Sequence, residues 1–331
     1  MVSCDTHAIY YAALMAAHNP LKLRQPIAGI DHEHSWMNGS VHFYFYPFCA
    51  QPTKPGFEMV EGFQITKVWD RRCEVAEAFA GVFTDRPRVC ETLEEASEGV
   101  DLVFLGDCNG DGSDHLVLAT PGLEKGIATF IDKPLANEVE DMKKILALAK
   151  KYRAPLFSAS ILRHIPGAFQ FRSRLPEIGR AESGAIRCPG HGIPGYIHTI
   201  SLAQAVFGGG IEEVSAMGPG ELGVMHLSWG NREDRPPSGV VIHHNVRENW
   251  HCSSHVTAYG KGGAILSSSN INDWFFPLGA TRILEKIRTM ALTGEVDESM
   301  NDMIEAVAVV NAGRLSMKSG SRLVKVAEVF S

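Results

Sequence analysis

The chain has 331 residues, of which 45% are hydrophobic and 21% charged, and a formal net charge of −7. That length supports two domains with separate cores, and that composition belongs to globular proteins. The acidic balance excludes nucleic acid and anionic membrane as partners, because both require a basic face. The seven cysteines are scattered and contain no CxxC pair, which points to reduced thiols rather than a disulfide framework or a structural zinc site. Asp5 and His7 interrupt the N-terminus before a signal-peptide core could form. No apolar run reaches the roughly 18–20 residues of a membrane span. The expected setting is cytoplasmic.

The first predicted unit is a strand over Met1–Cys4 and a helix over Ala8–His18, stopped by Asn19-Pro20. The turn between them reads Ser3-Cys4-Asp5-Thr6-His7-Ala8, where a dinucleotide-binding turn carries Gly-x-Gly-x-x-Gly. An insert over about residues 20–60 follows, longer than a βαβ connection needs. Its run "VHFYFYPF" alternates like a strand and suits a lid, a partner-facing hairpin or, equally, simple surface elaboration.

From there, short apolar runs alternate with helical segments. "FQITKVW" precedes a helix over Glu74–Ala80, "VDLVFLG" a helix from Asp114 to Lys125, and "ATFID" a helix over Asn137–Tyr152, before "APLFSAS" closes the series. Continuous apolar strands separated by helices mean a parallel sheet covered on both faces. Right-handed crossovers make this an α/β, doubly wound, Rossmann-like domain over residues 1–160. After residue 180 the runs "GAIRC", "VSAMG", "GVMHLSWG", "GVVIHHNV", "HCSSHVTAYG" and "GAILSSS" have between them only one helix, over Ile197–Phe207. They predict an α+β domain over residues 161–331 with an open, mainly antiparallel sheet. Two closing helices are predicted over Leu278–Leu292 and Ser299–Lys318. The exposed face of such a sheet suits a homo-oligomer.

Lys133 follows an apolar strand and precedes a proline-started segment, so it projects at the carboxyl end of a parallel strand, where open sheets bind ligands. His198 sits near the start of a predicted helix on a boundary face, and histidine suits proton transfer near neutral pH. Asp70 ends "KVWD", where a carboxylate takes ribose hydroxyls or caps the next helix, and Arg71 and Arg72 beside it could equally face a 2′-phosphate. Asp107, Asn109, Asp111 and Gly112 open like an EF-hand loop, but Leu118 stands where the bidentate Glu belongs, so an EF-hand is rejected. The sheet order expected here would converge Asp5, His7, Asp107, Asp111, Asp114 and His115 on one crevice. As an alternative to a nucleotide, Asp5, His7, Asp107, Asp111 and His115 could hold a divalent metal. The same aspartates also serve as turn formers and helix caps.

Four strings in order carry a resemblance over nearly the whole chain: "SDHLVLATPGLEKG", "IDKPLA" at Ile131–Ala136, "LRHIP" at Leu162–Pro166, and "GYIHTISLA" around His198. The chain resembles the Gfo/Idh/MocA superfamily of sugar and polyol dehydrogenases, with Asp132 in the Glu place of a Glu-Lys-Pro signature. The resemblance implies NAD or NADP as cofactor and a small sugar-like substrate. Lys133 and His198 become catalytic, with Arg163 and His164 on the substrate side. Ser3, Asp5, Thr6, His7, Asp70, Arg71, Asp107, Asn109, His115, Asp132 and Pro134 fall at cofactor positions. The sequence departs from the pattern in three places, one of them the acidic loop "DCNGDGSDH" that carries Asp107, Asp111 and Asp114. The fingerprint glycines are missing, so Asp5 either faces the crevice and repels phosphate or caps its helix and permits it. Pro194 stands where the motif places an Asp four residues before His198, leaving His191 as the nearby substitute. A non-redox lyase, hydrolase or epimerase on a keto-sugar, and a non-catalytic relative binding through Phe43–Phe48, are the competing readings; fold does not decide among them.

Overall fold

The computed structural model describes the whole chain apart from residues 30–33, 108–109, 189–191, 220–221 and 245–251. Asn109 and His191 therefore lie outside the described residues. Two compact units emerge: Met1–Lys133 with Lys143–Ala159 and Ala280–Asp297, and Pro134–Met142 with Ser160–Gly279 and Glu298–Ser331.

In chain order the first part holds α1 (Thr6–Met15), α2 (His42–Phe45), β1 (Lys67–Val68), α3 (Cys73–Val82), β2 (Arg88–Val89), α4 (Leu93–Ala96), β3 (Leu102–Leu105), α5 (His115–Glu124), β4 (Ala128–Ile131), α6 (Val139–Tyr152) and β5 (Leu156–Phe157). β1 and β2 pair in parallel, as do β3, β4 and β5. Val2 joins the two groups, bridged in parallel to Trp69 on one side and Leu105 on the other. The expected strand Met1–Cys4 is thus reduced to one bridging residue, with the order β2-β1-Val2-β3-β4-β5. All four residues of β4 are buried, as a parallel strand covered on both faces requires. Aromatic rings run across the layer: Tyr11 on Phe104 at 5.2 Å, Phe104 on Phe130 at 4.7 Å and Phe130 near Phe157 at 6.0 Å. Gly106 lets α1 begin against the end of β3, since a Cβ there would meet the Ala8 Cβ at 2.6 Å.

"VHFYFYPF" does not form a strand. Tyr10 of α1 packs on both Tyr44 (5.7 Å between ring centres) and Phe45 (4.6 Å). A strand would send these neighbours to opposite faces, whereas the helical turn α2 lets one ring touch both. β2 and α4 were hidden by their polar surroundings; Thr92 Oγ1 accepts the Glu95 N–H at 3.3 Å and starts α4.

The second part holds α7 (Pro166–Ser173), β6 (Ala181–Cys188), α8 (Gly192–Phe207), β7 (Glu213–Met217), β8 (Val224–Ser228), β9 (Val240–His244), β10 (His255–Gly260), β11 (Gly263–Leu266), α9 (Phe276–Thr293), α10 (Ser299–Lys318) and β12 (Val324–Lys325). Its sheet runs β11-β10-β6-β9-β8-β7-β12. Neighbours are antiparallel except β6 and β9, which are parallel, so the sheet is mixed. Val214, Ala216, Met225, Leu227, Val240, Ile242, Val256 and Ala258 form the covered face, while Met217, Val241 and Tyr259 are exposed on the other. Among the described residues no helix is long and apolar enough to cross a membrane.

Candidate active site

At the start of α1 the backbone turns sharply through Ser3, whose φ of 59° lies in the left-handed region. The Asp5 carboxylate accepts the Thr6 N–H and caps the helix. It is 0% exposed, lies 3.4 Å from His34 Nδ1 and shares a hydrogen bond with Asp107. Two carboxyl groups can bond each other only if one keeps a proton. Burial, helped by the charges of Asp5 and Asp114, pushes Asp107 from 3.8 up to about 7. The insert seals this turn: Trp36 Nε1 donates to Cys4 O at 2.8 Å, and Ser35 Oγ meets Thr6 Oγ1 at 2.9 Å.

Beside the turn, at the carboxyl ends of the parallel strands, opens a cavity of about 460 Å³ whose lining includes Ser3, His34, Asp70, Arg71, Arg72 and Asp107. Asp70 is fixed there because its two oxygens accept the Cys4 N–H at 2.8 Å and the Arg72 N–H at 2.9 Å. Arg71 pairs with Asp114. His115 is fully buried, with Nε2 3.9 Å from Asp107 Oδ2.

The expected metal set is not brought together. Asp107, Asp114 and His115 hold ligand atoms within 4.8 Å of one another, and Asp5 touches Asp107. Asp111, however, is exposed and accepts the Ser113 N–H at 3.0 Å, and His7 turns instead to Asp132. With Asp114 paired to Arg71 and Asp107 hydrogen-bonded to Asp5, the cluster is held by its own members, and a metal gains no support.

At the end of β4, the Asp132 N–H donates to Leu105 O at 3.0 Å. Its carboxylate, 1% exposed, hydrogen-bonds His7 Nδ1. Lys133 follows, only 3% exposed, and its ammonium has no hydrogen bond or ion pair with the described residues. Keeping an ammonium out of water without a partner is costly. Pro134 is buried.

In the second unit His198 lies on α8, its Nδ1 2.7 Å from Ser160 Oγ. Ser160 is fully buried and escaped the sequence reading; a small polar residue closing an apolar strand was its signal. Arg163 is held by Asp302 at 2.6 Å, and His164 is buried. His34, also missed as a site residue, stands in the insert, in the string "DHEHSW".

Residues 48–160 match the sequence model of the oxidoreductase family with an NAD-binding Rossmann fold, GFO_IDH_MocA. Those residues are similar to the Rossmann domain of that family. No curated protein matches the chain. Solved structures share its fold at low identity. A myo-inositol dehydrogenase from Corynebacterium glutamicum is 16% identical with a TM-score of 0.64, covering 86% of this chain and 95% of that one. GenD2 from gentamicin A biosynthesis, in complex with NAD, is 15% identical with a TM-score of 0.66, covering 87% and 93%. An oxidoreductase from Agrobacterium radiobacter, in complex with NAD+, L-tartaric acid and magnesium, is 12% identical with a TM-score of 0.67, covering 99% and 97%.

The cavity tests whether the dinucleotide of this family suits the residues present. Asp70 stands at the end of β1, where Rossmann carboxylates take ribose hydroxyls, and each of its oxygens keeps a lone pair beyond the N–H it accepts. Arg71 and Arg72 stand at the same rim, ion-paired with Asp114 and Glu74, and Asp111 and Asp114 line it with them. The Asp5 carboxylate has no exposed surface, so its charge is covered rather than presented to a phosphate. The adenosine half of a dinucleotide fits these residues.

Proposed function

We propose that the chain is an NAD(P)-dependent oxidoreductase acting on a hydroxyl or carbonyl of a sugar-like or polyol substrate. The observation that carries this reading is Lys133, a buried ammonium without a partner among the described residues, at the carboxyl end of a Rossmann strand, in the signature "IDKPLA". When bound, a nicotinamide gives or takes the hydride. Asp70 holds the ribose, and Arg71 and Arg72 attract phosphate at the cavity rim. Lys133 donates a hydrogen bond to the reacting oxygen and stabilises the negative charge that develops on it. His198, by resemblance, is a substrate-facing histidine.

The test is a titration of the purified protein with NADH and NADPH, followed by nicotinamide fluorescence. Saturation below about 1 mM, the top of the usual range for enzyme ligands, is expected; no binding there refutes the reading. Lys133→Ala should keep the affinity and lower turnover on a polyol panel by about 10²-fold or more.

A further inference from the structure

The motif around His198 lacks the carboxylate that its family pattern places four residues earlier, where Pro194 stands. Among the described residues, the hydroxyl of Ser160 hydrogen-bonds His198 Nδ1 at 2.7 Å. A hydroxyl both donates and accepts, so it does not fix which ring nitrogen carries the proton. Being neutral, it also gives an imidazolium little stabilisation. A carboxylate-bonded imidazole does exist in this chain, at a different place: His7 Nδ1 on Asp132.

A carboxylate only accepts, so Asp132 requires the proton on His7 Nδ1 and leaves the lone pair on Nε2. When Nε2 takes a proton, the same carboxylate neutralises the imidazolium, as in carboxylate–histidine pairs of hydrolases. Asp132 is 1% exposed and the His7 side chain 22%, so the carboxylate is screened from water while the ring reaches it. The pair also adjoins Lys133 in the sequence. His34 and His115 lie 3.4 and 3.9 Å from Asp5 and Asp107, but those carboxyls already bond each other.

We propose that the acid–base group of this chain is His7, oriented by Asp132 as its positioning residue, and not His198. The proposal rests on the function proposed above. In the oxidative direction the substrate O–H breaks and its proton goes to His7 Nε2. The O–H electron pair becomes the second C=O bond while the carbon's hydrogen leaves with the C–H pair to NAD(P)+. Lys133 stays protonated and hydrogen-bonded to that oxygen. Reduction runs the same transfers backwards.

The first arm of the test needs neither substrate nor cofactor: long-range ¹H–¹⁵N spectra of the imidazoles in the full chain. His7 should show a protonated Nδ1 and a bare Nε2, a pattern that Asp132→Asn removes, while Ser160→Ala alters only the His198 signals. A His7 ring protonated on Nε2, or one indifferent to Asp132→Asn, overturns the proposal; should Asp132→Asn fail to fold, the wild-type tautomer decides alone. The second arm is kinetic. His7→Gln should keep NADH affinity and lower kcat by about 10²–10⁴-fold, with the acid limb of the pH profile lost. A larger kcat loss in His198→Gln than in His7→Gln overturns the assignment. Failure of the wild type to bind nicotinamide sinks the proposed function, and the spectra still decide the pair.

Discussion

Replacing Asp107 with Asn removes one ionisable group from the buried cluster and little else. The amide keeps an acceptor for the Gly110 N–H, 3.1 Å from Oδ1, and its NH₂ can donate to Asp5. Burial first, then the charges of Asp5 and Asp114, raise Asp107 from 3.8 to about 7. The sign follows from linkage. A carboxyl raised in the folded state adds stability below its unfolded value, and that stability drains away as pH rises through the folded value. A tenfold change in acidity corresponds to about 1.4 kcal/mol, so the rise bounds the cost of ionising wild-type Asp107 at about 4 kcal/mol. Sharing the proton with Asp5 reduces what one residue delivers. Asp107→Asn should therefore match the wild type near pH 4 and exceed it by about 2–4 kcal/mol near pH 8.5. Urea unfolding at both pH values, with m unchanged, reads this directly. A difference between the two proteins that does not vary with pH refutes the reasoning.

Two further substitutions probe how the turn is built. Gly106→Ala places a Cβ 2.6 Å from the Ala8 Cβ and 2.9 Å from the Ala8 nitrogen, so it should cost about 1–3 kcal/mol; an unchanged melting temperature would show that α1 does not press on the end of β3. Trp36→Phe leaves Cys4 O without its donor at 2.8 Å and should cost about 1–3 kcal/mol. Faster amide exchange over Cys4–Ala8 is expected, and unaltered exchange there would mean the insert does not seal the turn.

How far the sequence carried this picture depended on whether the deciding interaction was local. β3 and β4 are continuous apolar runs, and α10 is bounded as its pattern predicts, at Ser299 and Lys318. The parallel pairing of β6 with β9 was illegible because it depends on the route of the chain, not on the composition of either strand. α2 followed a strand-like alternation, and its conformation was decided by Tyr10, more than thirty positions away. In the site, Asp132 and Lys133 stood in a recognisable string. Their partners did not: His7 meets Asp132 across 125 positions, and Ser160 meets His198 across 38. No local pattern encodes such pairs.

The turn at Asp5 presented two alternatives, a carboxylate facing the crevice or one capping its helix. The structure shows that capping also spends the turn's donors. Thr6 N–H goes to Asp5, Ala8 N–H to Gly106 O at 3.2 Å, and Cys4 N–H to Asp70 at 2.8 Å. A glycine-rich turn would offer such groups to a pyrophosphate; here these three are already committed. Dinucleotide affinity must then come from the cavity rim, where Asp70 is rigidly held and the Arg71 side chain is 65% exposed. Attraction by exposed guanidinium groups is screened by salt, whereas a cradle of backbone N–H groups is much less so. The loss of the glycines therefore changes what kind of interaction holds the cofactor. It also frees the first turn of α1 to carry His7, a side chain that a phosphate-binding turn would have little room for.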